Sequence, residues 1–97
     1  MTYLYIYTGD RQWEERIEKG VEWARKGGFT PESLLFCVND VKGIEKVQQL
    51  GFKALNLDAP VDLINLATKG DQIYLLTPEE IGPLPTYFPN LHRLKLE

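Results

Sequence analysis

Ninety-seven residues, 43% hydrophobic and 26% charged, suit one small domain spanning 1–97 with a single modest core. A net charge of −3 and a pI near 5.2 argue against nucleic acid and anionic membrane as whole-surface partners. Cys37 is the lone cysteine, no apolar run approaches the roughly 18 residues of a membrane span, and no signal-peptide pattern opens the chain, so a cytoplasmic, reducing setting is expected.

Tyr3 to Thr8 is an apolar and aromatic run that predicts a strand buried on both faces. The two-residue period puts Tyr3, Tyr5 and Tyr7 on one face and Leu4 and Ile6 on the other. Such a tyrosine face is either a base-stacking platform or a sheet face packed under helices, and the acidic charge favours packing. Gly9 turns the chain into a helix from about Arg11 to Lys26. Its Trp13, Ile17, Val21 and Ala24 recur at helical spacing, and Gly20 shares their inward face. Arg16, Lys19, Arg25 and Lys26 are interleaved with Glu14, Glu15, Glu18 and Glu22, the mixture of a solvated face. Trp23 falls off the apolar stripe, either draped over the helix edge or part of a contact surface. Gly27 and Gly28 end the helix.

Thr30-Pro31-Glu32 is a turn, and Leu34 to Val38 a second, continuously apolar strand ended by Asn39-Asp40. A second helix follows with Val41, Ile44, Val47 and Leu50 inward and Gly51 closing it. Phe52 to Leu57 is a third strand, ending at Asp58. The third helix starts around Ala59-Pro60, carries Leu63, Ile64, Leu66 and Ala67, and closes at Gly70. Ile73 to Leu76 is a fourth strand. Thr77-Pro78-Glu79-Glu80 then has the form of a capping box opening a short helix to Gly82. A stiff loop, Pro83 to Pro89, leads to a fifth strand from about Leu91 to Leu96, whose Arg93 and Lys95 suit a charge-guarded edge.

Strands alternating with helices predict an α/β fold: a small Rossmann-like (flavodoxin-like) three-layer α/β/α sandwich of about five mostly parallel strands. Strand orders 2-1-3-4-5 and 3-2-1-4-5 both fit, and the last strand is open to either direction.

Polar, mostly acidic residues end the strands. In a parallel sheet these ends share one edge, where ligands of open α/β sheets bind. Thr8, Gly9, Asp10, Arg11, Asn39, Asp40, Asp58 and Thr77 are therefore the candidate ligand-binding residues. Gly9 would let helix N–H groups approach a phosphate, and Arg11 would add charge. Converging carboxylates at Asp40, Asp58, Asp62 and Glu79 would instead suit Mg²⁺. Helix capping accounts for the strand-end acids Asp10, Asp40, Asp58 and Glu79 without a ligand, because every helix start needs a cap. Cys37 within an apolar strand reads as an inert thiol, and one Cys with one His (His92) does not make a usual zinc site. Tyr87 and Phe88, aromatics between prolines, are interface candidates with Trp23, or cover a core end.

Thr8-Gly9-Asp10-Arg11-Gln12-Trp13 resembles the T-G-x-R-x-W strand-end opening of SLOG-type Rossmann-like domains, which implies binding of nucleotides or their derivatives. The glycine-rich segment after strand 2 in those domains is represented here by Gly43 alone. The second half resembles small PIN-like nuclease domains at Asp40, Leu50-Gly51-Phe52, Asp62 and Thr77-x-Glu79, which implies a Mg²⁺-dependent nuclease. Each resemblance covers part of the chain and neither assigns a family.

The leading expectation is a non-enzymatic domain that binds a partner protein or a phosphate-bearing, nucleotide-type small molecule at the strand C-terminal edge, its cofactors unknown. The alternatives are the Mg²⁺-dependent nuclease and a homo-oligomeric assembly module.

Overall fold

A computed structural model describes residues 1–57, 61–77 and 88–94. The elements run β1 (Thr2–Ile6), α1 (Trp13–Lys26), β2 (Leu34–Val38), α2 (Val41–Gln49), β3 (Lys53–Asn56), α3 (Val61–Thr68), β4 (Gln72–Leu76) and β5 (Leu91–Arg93). The strands form one all-parallel sheet in the order β3-β2-β1-β4-β5, which settles the two open orders. The last strand runs parallel, with Tyr74 opposite His92. The apolar run at the chain's start is the central strand, flanked by β2 and β4.

Strand periodicity divides the core into two layers. On one side Leu4, Ile6, Phe36, Val38 and Leu76 pack with Ile17, Val21 and Ala24 of α1 and Val47 of α2. On the other, Tyr5, Cys37, Ile73, Leu75 and Leu91 pack with Leu63 and Ala67 of α3. Among the described elements, two helices on one face and one on the other make the three-layer sandwich. Right-handed crossovers require this division: β1 to β3 proceeds one way along the sheet, and β3 to β4 returns across it.

Close packing on α1 depends on Gly20. A Cβ there would lie 2.8 Å from Ile6 Cδ1 and 3.3 Å from Leu4 Cδ2. The helices end at glycines with positive φ: Gly28 (78°), Gly51 (92°) and Gly70 (88°). Arg25 ties two helix ends together, its Nη2 donating to Leu50 O at 2.9 Å. Asn90 donates from Nδ2 to Ala67 O at 3.0 Å and Asp71 O at 2.6 Å, so the approach to β5 is pinned to the α3–β4 turn.

One inward assignment is corrected. Val41, expected inward, is 65% exposed, and Gly43 is buried on that face instead. Val41 is the first residue of α2 and stays exposed, while the small Gly43 lets α2 approach Thr8 and Val38. The predicted short helix after Thr77, the start of the third helix and the end of the fifth strand lie outside the described residues.

Candidate functional site

The strand order reverses between β1 and β4: α1 leaves β1 toward β2, whereas β4 is followed by β5 on the other side. In open α/β sheets the C-terminal edge at such a switch point is where ligands lie. Residues 7–16 and 38–43 meet at that edge.

Thr8, fully buried just past the end of β1, joins two strand ends. Its Oγ1 lies 2.6 Å from Asn39 Oδ1 and 2.9 Å from Asp40 Oδ2, so one hydroxyl proton is shared between two acceptors beyond β2. Asp40 is also the N-cap of α2, with Oδ1 accepting the Gly43 N–H at 2.8 Å. Capping and strand-end bridging are thus combined in one carboxylate.

Asp10 is different. It was expected to cap the first helix, but the N-cap of α1 is Gln12, which makes no side-chain capping bond. Asp10 sits two residues earlier and accepts the Gln12 N–H at 3.0 Å. Its main partner is Arg16, which donates Nη1 to Oδ1 at 3.0 Å and Nη2 to Oδ2 at 2.9 Å. Nη1 also donates to Tyr7 O at 2.8 Å. The guanidinium further lies 5.9 Å from the Tyr7 ring centre, and that ring covers Gly9 so closely that a Cβ there would collide with it. The Arg16 hydrogen bonds hold the Asp10 carboxyl below the ordinary carboxylate range, with the Gln12 N–H adding to them.

Arg16 therefore departs from the solvated face predicted for it. Sequence reasoning missed it because its neighbours follow an alternating charge pattern: Lys19 and Lys26 do pair with Glu15 and Glu22 on the outside. The available signal was position. Arg16 stands on the first turn and a half of the helix, immediately before the inward Ile17, within reach of the strand end. Arg11, the expected cation, is exposed.

The remaining candidates divide. Asn39 and Asp40 join the Thr8 network, Gly9 is the exposed turn beside it, and Thr77 is half-buried at the end of β4. Asp58, Glu79 and Tyr87 lie outside the described residues, and Asp62 is in the first turn of α3. No group of three metal-ligating side chains occurs among the described residues.

The interface candidates have neighbours within the chain. Trp23 stacks on Phe29 at 5.3 Å between ring centres and tilts against Tyr74 at 4.8 Å. Tyr74 meets His92 at 5.1 Å, and His92 Nε2 lies 2.7 Å from Gln72 Oε1. Phe88 packs on the α3-side core, as a side chain covering a core end does. Burial pushes the Cys37 thiol up to about 12. No described helix is long and apolar enough to cross a membrane. Compared with known proteins, the chain matches no family model and no curated relative.

Proposed function

We propose that this chain is a non-enzymatic binding domain whose ligand is a phosphate-bearing small molecule of the nucleotide type, seated at the C-terminal ends of β1 and β2. The observation that carries the reading is Arg16. It brings a guanidinium fork, the geometry best matched to phosphate and carboxylate oxygens, to the end of the central strand at the switch point. The exposed Asn39 and half-buried Asp40, held at the end of β2 by the buried Thr8 hydroxyl, supply polar groups for the sugar or base. In the free protein the fork is occupied by the Asp10 carboxylate at 2.9 Å, so a phosphate reaches Arg16 in competition with Asp10.

Thermal shift separates this reading from the nuclease. Stabilisation by nucleotides without divalent metal is expected. Stabilisation by Mg²⁺ or Mn²⁺ that disappears in Asp40→Asn would instead favour a metal-dependent nuclease.

A second reading, association with a partner protein or another copy of the chain, has its support in the half-buried rings of Trp23, Phe29, Tyr74 and His92, which run from α1 onto β4 and β5. A sedimentation shift abolished by Trp23→Ala, with no response to nucleotides, would favour it.

A further inference from the structure

We propose that Arg16 is an oxyanion receptor and that Asp10 is its built-in occupant, displaced when a phosphoryl group binds. The inference rests on the ligand reading above and names the group that receives the phosphate.

The Asp10 carboxylate collects three donors: both terminal nitrogens of Arg16 and the Gln12 N–H. A phosphoryl dianion has the oxygens to take over all three, and a guanidinium fork accepts carboxylate and phosphate in the same bidentate geometry. The two partners are unequally exposed. The Arg16 side chain is 10% exposed and that of Asp10 32%, so the acid has a path outward whereas the base is walled in. Arg16 is also held from behind by Tyr7 O at 2.8 Å, a bond that does not involve Asp10. Releasing the carboxylate thus leaves the guanidinium in place, charged and open on one side. A guanidinium does not lose its proton in proteins, so a counterion is required there. Asp10 fills that requirement in the free protein and competes with the ligand.

The competition predicts the effect of removing it. With the receptor mostly occupied by Asp10, Asp10→Asn raises the open fraction and tightens binding of AMP and inorganic phosphate by about tenfold in calorimetric titration. Glu14→Gln removes an equal charge from an exposed residue in the first turn of α1, away from the fork, and is expected to change affinity by less than about twofold because exposed charges are screened. Equal tightening by both variants, or unchanged affinity in Asp10→Asn while the wild type binds AMP, overturns the displacement and leaves the ligand reading intact. Absence of AMP and phosphate binding in both wild type and Asp10→Asn overturns both.

Chemical rescue is a second arm. In Asp10→Gly, added acetate or phosphate is expected to recover much of the lost melting temperature, whereas chloride at equal ionic strength does not. Equal recovery by all three salts, or by none, contradicts a receptor at Arg16.

Discussion

Thr8 Oγ1 is the atom through which the ends of β1 and β2 are joined. Replacing it by the isosteric valine keeps the packing and removes the donor shared by Asn39 and Asp40. Thr8→Val is expected to lose about 1–3 kcal/mol in urea denaturation, the cost of leaving a partly buried polar group without its partner. A loss below about 0.5 kcal/mol would mean that the bridge is structurally idle. Cys37 is the opposite kind of residue, buried at 0% exposure and with its thiol held protonated. A thiol-specific reagent at pH 8 should label it only when the chain unfolds; rapid labelling of the native protein would contradict its burial. Its raised pKa also fixes a sign. The unfolded chain releases the proton first, so the contribution of Cys37 to stability is intact below about pH 9 and is lost as the pH rises toward about 12. A Cys37→Ala variant should therefore show a shallower alkaline decline than the wild type.

At the scale of the element, inward and outward positions were legible wherever several apolar residues share a period. Ile17, Val21 and Ala24 of α1, and Leu63 and Ala67 of α3, are buried as their spacing requires. A single residue at a helix start was not: Val41 keeps the helical period but is exposed at the first position of α2. The contrast gives a paired test. Leu63→Ala is expected to cost about 2–5 kcal/mol, because α3 alone supplies helical packing on its face among the described elements. Val41→Ala should fall within about 0.5 kcal/mol of the wild type, as exposed substitutions do. Similar losses for the two would contradict the assignment of faces. Arg16 was illegible for a related reason. Periodicity reports which side of a helix faces the core, but a long side chain near a helix end reaches along the axis to whatever the preceding loop presents. Here that is Asp10, six residues earlier, a separation that is not one of the familiar helical pair spacings.

For the whole molecule, alternation of strands and helices foretold the layers and the parallel sheet, because both follow from connection rules that act locally. Strand order did not follow: two orders bury the same apolar faces, and the difference lies in which long-range pairing is made, β1 with β4 rather than with β3. That pairing is what places the reversal of strand order at the end of the central strand, beside Thr8, Asp10 and Arg16. The opening stretch thus contributes two things, the middle of the sheet and the edge at which binding is proposed. The most direct test is an amide-resolved NMR titration of the uniformly labelled protein with AMP in the absence of divalent metal. Saturable shifts confined to residues 7–16 and 38–43 are predicted. Shifts centred on Trp23, Tyr74 and His92, or none at millimolar AMP, would contradict a phosphate-bearing ligand at the strand ends.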